Sequence, residues 1–162
     1  MARFLLTRRS PLPPAECWRR LTDWPRHGER VPFTRVRVVP GGGDVRDARD
    51  VHGLPGDLVV ARTRLGPLRF DDPMEIVELT APAPGQDGHC RLAKRGRAVR
   101  GGAELRVRAV DGGGSEASWA EELRIAGLPA LFDPVVAGVG RVVFGRLLDH
   151  LLDAPAQGAS AE

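Results

Sequence analysis

Residues 116–153 read EASWAEELRIAGLPALFDPVVAGVGRVVFGRLLDHLLD, and the apolar period inside them changes from two to 3.6 after Gly127. Ahead of the change, Trp119, Leu123 and Ile125 share one face of a strand, and period two sets Glu121 on that face with them. Behind it, LPALF is a short apolar lead-in, Asp133 is placed to cap a helix, and Pro134 takes the first helical position. Val136, Val139, Val143, Leu147 and Leu151 then form an apolar stripe that predicts a helix to about Asp153. Arg141, Arg146 and Asp149 exclude a membrane span. A strand with one apolar face needs a cover, and a helix with one apolar stripe supplies it.

Working back toward the N-terminus, the same alternation recurs between turn signals. AELRVRAV (103–110) sets Ala103, Leu105, Val107 and Ala109 inward, and in HCRLAKRGRAV (89–99) Cys90 and Leu92 alternate with His89 and Arg91. LRFDDPMEIVELTAP (68–82) reads as a strand interrupted near Pro73, where a bulge or an edge position is required. DLVVARTRLG (57–66) places Val59, Ala61, Thr63 and Leu65 on the inner face, and TRVRVVP (34–40) places Val36 and Val38 opposite Arg35 and Arg37. Gly66-Pro67, PAPGQDG (82–88), Gly101-Gly102 and DGGGS (111–115) are turns, and GGGDVRDARDVHGLPG (41–56) is a long hairpin connection. Ahead of these lie a first strand, RFLLTRR (3–9), and two short helical segments. One carries Cys17, Trp18 and Leu21 on a face; the other starts at Trp24-Pro25 and is limited by Gly28 and Pro32. The fold class predicted is α+β: a curved antiparallel sheet wrapped around a long C-terminal helix, with two short helices after strand 1. The absence of helical crossovers between the middle strands argues against a parallel sheet. Residues 1–153 are expected to form one domain and APAQGASAE (154–162) a disordered tail.

Composition narrows the function. The formal charge is +3, and of 24 basic residues only Lys94 is lysine, a skew that a GC-rich coding sequence produces. The arginines are spread along outward strand positions among Asp and Glu rather than clustered, so nucleic-acid binding is not expected. Cys17 and Cys90 are far apart with no CxxC, which fits a reducing cytoplasm, and Phe4-Leu5-Leu6 is too short for a signal core. His27, His52, His89 and His150 have no ligand spacing, so no metal is expected. The GGG runs at 41–43 and 112–114 connect strands and lack a following Lys-Ser/Thr, which removes a phosphate cradle; no cofactor is expected.

The succession PAECWRRLTDWPRHGERVPF (14–33), GDLVVARTRLGPLRFDDPMEIVEL (56–79) and EASWAEELRI (116–125) before a terminal helix resembles the SRPBCC superfamily, which includes START lipid-transfer domains, the birch-pollen-allergen fold and bacterial polyketide cyclases/dehydratases. The resemblance covers roughly residues 3–152 and rests on element order, on Cys17-Trp18 through Asp23-Trp24, and on Trp119 with Glu121. It implies a helix-grip fold with a cavity between sheet and helix, and a small apolar molecule as partner. Residues placed to line such a cavity are Trp24, His27, Phe33, Phe70, Leu105, Trp119, Glu121, Phe132, Val136, Val139 and Val143. Glu121 is the one candidate for acid–base chemistry; the alternative is that a bulge turns it outward or that Arg62 or Arg91 pairs with it. Three functions remain open: a carrier of a lipid-, polyketide- or quinone-like molecule, a polyketide cyclase/dehydratase-type enzyme, and a protein-interaction module with a filled core. An apolar cavity points to the first, a cavity with two or more converging titratable groups to the second, a solid interior to the third. Gly138, Gly140 and Gly145 weaken the terminal helix and raise a further question: whether the sheet, a ligand or a second copy of the chain in a homodimer approaches closely there.

Overall fold

The structure is a computed structural model and describes residues 1–41 and 52–153. The pairing inside the 41–56 connection falls largely outside those residues, and the expected tail falls wholly outside them. Strand β1 (Ala2–Ser10) leads through Pro11–Pro13 to helix α1 (Pro14–Leu21) and a 3-10 turn (Trp24–Gly28). Strands β2 (Thr34–Val39), β3 (Leu58–Leu65), β4 (Leu68–Thr80), β5 (Gly88–Lys94), β6 (Val99–Ala109) and β7 (Ser115–Ile125) follow, then a short 3-10 turn (Ala130–Phe132) and helix α2 (Asp133–Asp153). Among the described residues the strands form one antiparallel sheet in the order β1-β7-β6-β5-β4-β3-β2. Each strand from β2 to β6 pairs with its successor, as hairpin connections dictate, and β1 returns to the far edge beside β7. The expected α+β architecture is the one observed.

The core lies between the inner face of this sheet and α1 with the C-terminal half of α2. Phe4, Leu6, Leu92, Leu105, Val107 and Trp119 come from the sheet; Cys17, Leu21, Leu147, Leu148 and Leu151 come from the helices. Both cysteines are buried and free, and burial pushes the Cys90 thiol up to about 12.

Two local expectations need correction. Strand β4 is not interrupted at Pro73, which pairs in register with Val60 of β3. On its other side β5 ends at Lys94 opposite Met74, so the missing N–H of Pro73 costs that ladder nothing, while its carbonyl accepts from Arg95 N at 2.8 Å. The irregularity falls later, between Ile76 and Glu78.

The buried line of α2 also differs from the valine stripe. It runs through Ala137, Gly140, Leu147, Leu148 and Leu151, with Phe144 packed against the core, whereas Val135, Val139 and Val142 are exposed. Successive steps of four drift around a helix that turns about 100° per residue, so a stripe drawn through the largest side chains leaves the true face within two turns. Small residues hold that face because the sheet comes close there. A Cβ on Gly140 would meet the Phe4 ring at 2.4 Å, whereas one on Gly138 would meet nothing. The two glycines should therefore respond oppositely. Gly138→Ala is expected to stabilise the protein by up to about 1 kcal/mol. Gly140→Ala should cost about 1–3 kcal/mol, because Phe4 is wedged against Phe144 with ring centroids 5.6 Å apart. Urea denaturation of the two variants measures both, and equal shifts would show that Phe4 yields freely.

Candidate functional site

Two of the concavities among the described residues bear on function, and they differ in kind. The larger, about 870 Å³, is an open groove on the outside of the sheet, where Arg3 pairs with Glu122 and Arg95 with Glu75. The smaller, about 180 Å³, lies between the inner sheet face and α2 and is lined by His27, Asp72, Lys94 and Glu121 among its titratable groups. Its walls are Trp24 and His27 from the first 3-10 turn, Val36, Val59, Ala61 and Thr63 from β2 and β3, Phe70 and Met74 from β4, Trp119 from β7, and Phe144 with Leu147 from α2. His27 stands between the indoles, its ring 5.1 Å from that of Trp24 and 5.4 Å from that of Trp119, and Trp119 meets Phe144 at 5.1 Å. An aromatic wall of this kind grips a flat apolar body.

At one end of the cavity Asp72, Lys94 and Glu121 converge. Lys94 Nζ donates to Asp72 Oδ2 at 2.8 Å and lies 3.2 Å from Glu121 Oε1; the side chains of Lys94 and Glu121 are 5% and 1% exposed. Trp119 Nε1 donates to Glu121 Oε2 at 2.9 Å. The sheet register explains how Lys94 on β5 reaches Glu121 on β7: the β6 residues alongside are Gly101 opposite Lys94 and Ala103 opposite Glu121, too small to block the way. Burial pushes the Glu121 carboxyl above its ordinary value, a shift that the Lys94 ammonium and the Trp119 indole oppose. Burial acts against the Lys94 ammonium too, but the Glu121 and Asp72 carboxylates outweigh it and hold the amine above its usual range. Lys94 is therefore a fixed cation, not a nucleophilic amine.

The N–H donors in this cavity are all spent inside the protein. The three Lys94 protons face Asp72 Oδ2, Met74 Sδ at 3.6 Å, and Glu121. Trp24 Nε1 donates to His52 O at 2.7 Å. His27 Nε2 lies 2.9 Å from Leu21 O, which can only accept, so the ring proton sits on Nε2 and Nδ1 carries a lone pair. The Thr34 and Thr63 hydroxyls share a 2.7 Å bond in which either can donate, and Thr34 Oγ1 lies 3.2 Å from Pro32 O. What is left over is acceptor capacity. Asp72 Oδ1 and Glu121 Oε1 are buried and make no aligned hydrogen bond among the described residues; the contact of Glu121 Oε1 with Lys94 is an ion pair only.

No family model matches the chain, and no curated protein matches it. Solved structures do. A START superfamily protein from Mycobacterium smegmatis superposes with a TM-score of 0.66 at 7% identity, covering 94% of this chain and 98% of that one. Ara h 8.0201 gives 0.56 at 16% identity, over 94% and 98% of the two chains. The Zhui aromatase/cyclase from a Streptomyces species gives 0.54 at 12% identity, over 93% and 90%. The fold is the helix grip of the START and birch-pollen-allergen-like, or SRPBCC, proteins.

Of the residues that the sequence placed around a helix-grip cavity, Trp24, His27, Phe70, Trp119 and Glu121 line it. The others do not. Phe33 takes φ 59 at the turn into β2, which throws its side chain outward to 72% exposure. Leu105 is fully buried in the core opposite Trp119. Phe132 lies half-exposed in the turn before α2, and Val136, Val139 and Val143 flank the buried helix line instead of forming it. Glu121 points inward, so the outward alternative falls. Its partner is Lys94 and neither suggested arginine: Arg62 pairs with Asp71 on the outer face, and Arg91 borders the outer groove. Asp72 and Lys94 were missed, though period two carried from Cys90 and Leu92 lands on Lys94, and from Phe70 on Asp72. No group of His, Cys, Asp and Glu suited to a metal occurs among the described residues, and no helix there is long and apolar enough to cross a membrane.

Proposed function

We propose that this chain binds a small, largely apolar molecule in the cavity between sheet and α2, as a carrier or sequestering protein. The observation that carries the reading is an aromatic-walled space of about 180 Å³ with a charged cluster at one end. A cavity of about 150 Å³ suffices for a benzene ring, so the site suits a ring-sized body or one segment of a longer molecule. Helix-grip proteins typically bind hydrophobic molecules, which supports the same reading. Native mass spectrometry of the freshly purified chain is expected to show a retained small molecule, released on denaturation and displaced by excess single-ring aromatics. Absence of any adduct, together with no thermal stabilisation by toluene or p-cresol, would overturn the reading.

The convergence of Asp72, Lys94 and Glu121 favours a second reading, proton transfer by Glu121 on a bound polyketide-like chain. Binding ranks first because every N–H donor in the cavity is already engaged within the protein and so is not free to stabilise a developing oxyanion. Glu121→Gln separates the two. A retained molecule of the same mass in wild-type and variant preparations removes Glu121 from any reaction, and a mass difference matching a lost or gained water supports one.

A further inference from the structure

The antiparallel register gathers several connections at one end of the sheet. Ala2 pairs with Leu123, Ile125 with Val99, Gly101 with Lys94, Lys94 with Met74, Leu68 with Leu65, and Thr63 with Thr34. Met1, the turn into β2, the β3–β4 hairpin at Gly66-Pro67, the β5–β6 turn and the link from β7 to α2 therefore share that end. The ion pair between Asp133 and the Met1 amino group holds the start of α2 there too. The cavity reaches the surface on this side: Phe70 both lines it and is 39% exposed, and Thr63, opposite Phe70, and Thr34, opposite Thr63, line it as well.

Folding alone leaves two features of this end unaccounted for. Phe33, Leu68, Phe70, Leu131, Phe132 and Val135 stand exposed in the turns, on the β3–β4 hairpin and at the start of α2. Apolar side chains gathered around one opening mark an interaction surface, unlike single ones scattered over a protein. The second feature is charge. Arg64 lies directly opposite Arg69 across the β3–β4 hairpin, and Arg100 directly opposite Arg124 on β6 and β7. All four are exposed and none forms an ion pair among the described residues; the neighbouring Asp71 is taken by Arg62. Like charges directly opposite each other destabilise a sheet, and an anion supplied from outside relieves them.

We infer that this end docks on an anionic lipid bilayer, with the exposed apolar side chains entering the interface, the arginines on headgroup phosphates and the cavity mouth toward the acyl chains. On the binding reading above, on which this docking depends for its purpose, the ligand enters and leaves through the contact without crossing water. The β3–β4 hairpin shows the pattern in RLGPLRF (64–70), where arginines flank an apolar tip that carries no carboxylate. Such a segment suits the boundary between headgroups and chains, where arginine heads stay with phosphate while apolar side chains are buried. A polyanion without an apolar interior would leave Leu68, Leu131 and their neighbours uncovered.

Flotation of the full chain with vesicles tests the docking, using phosphatidylcholine alone and an about 7:3 mixture of phosphatidylcholine and phosphatidylglycerol, at about 0.1 M salt. Partitioning is expected to be at least about tenfold stronger onto the anionic vesicles and to weaken as salt is raised. Leu68→Ser/Leu131→Ser and Arg64→Gln/Arg69→Gln should each lower it about tenfold or more, since both kinds of contact hold the protein to the surface. These side chains are exposed, so the urea midpoints of both variants should not fall below that of the wild type. Arg106→Gln/Arg108→Gln removes the same charge toward the other end of β6 and should leave partitioning within about twofold. No preference for the anionic vesicles overturns the docking. So does an equal loss in the Arg106→Gln/Arg108→Gln variant, which would reflect only the net positive charge of the chain. The carrier reading is judged separately by native mass spectrometry. An adduct without vesicle binding overturns the docking alone; vesicle binding with neither an adduct nor thermal stabilisation by toluene or p-cresol overturns the carrier reading alone.

Discussion

Lys94→Met is expected to lower the unfolding free energy by about 3–5 kcal/mol, the loss typical of a buried ion pair from which one partner is removed. Methionine nearly fills the volume of the lysine stem, so little of the loss comes from a cavity. The damage is electrostatic: Asp72 and Glu121 would face each other in a site where Lys94 is 5% and Glu121 1% exposed, with no cation between them. The triple variant Asp72→Leu/Lys94→Met/Glu121→Gln should recover most of the stability, because desolvating three charges costs about as much as their mutual attraction returns. Glutamine at 121 preserves the acceptor for Trp119 Nε1. Urea denaturation at constant m-value checks both variants, and strong non-additivity is the expected signature of a coupled cluster. If Lys94→Met alone costs less than about 1 kcal/mol, the cluster is hydrated and the donor accounting in the cavity fails with it. If the triple variant is as unstable as the single one, packing and not charge holds Lys94 in place.

The contrast between what was readable in the sequence and what was not follows from how each kind of information is encoded. Strand alternation and the change of period after Gly127 are local, so the order of elements was legible, as was the inward direction of Trp119 and Glu121 on β7. The face of α2 was legible only in its second half, where Leu147 and Leu151 are both large and buried. In the first half the buried positions are Ala137 and Gly140, and the smallness of Gly140 is set by Phe4 on a strand more than a hundred residues earlier. Hydrophobic size marks burial only where the neighbouring element leaves room. Phe33 shows the reverse case, an aromatic residue expelled by a backbone turn that nothing in the apolar pattern announces. The charged cluster is the instructive omission. Lys94 is the single lysine among 24 basic residues, and alternation placed it on the inner face, yet polarity argued for the outside. An unusual residue type at an inward register position was the available signal. Its meaning depended on Asp72 and Glu121 arriving from β4 and β7, with Gly101 and Ala103 on β6 leaving the path clear, a fact of sheet register that no local window contains.

Acidification should expose a second large effect, centred on His27. Its ring is buried, and burial lowers its pKa from 6.5 to about 4; the Leu21 carbonyl partly opposes the shift and the nearby Arg26 charge adds to it. The folded pKa is depressed, so between those two values the unfolded chain binds a proton that the folded chain refuses, and stability falls as pH falls. The neutral-histidine contribution is complete above about pH 6.5 and gone below about pH 4. Across the window, 1.36 kcal/mol per pH unit amounts to about 3 kcal/mol. Glu121 pulls the other way: its folded pKa is raised above 4.5, so it gains stability as pH falls through that raised value. The wild-type curve alone therefore understates the histidine effect. The informative quantity is the difference between wild type and His27→Phe, measured by urea denaturation at several values between about pH 7 and pH 4. Phenylalanine forfeits the bond to Leu21 O at every pH, which offsets the curve without changing its slope. The variant is expected to lose less stability on acidification, closing the gap by about 3 kcal/mol at the acid end. Parallel curves would mean that the imidazole is protonated in place, hydrated from the cavity.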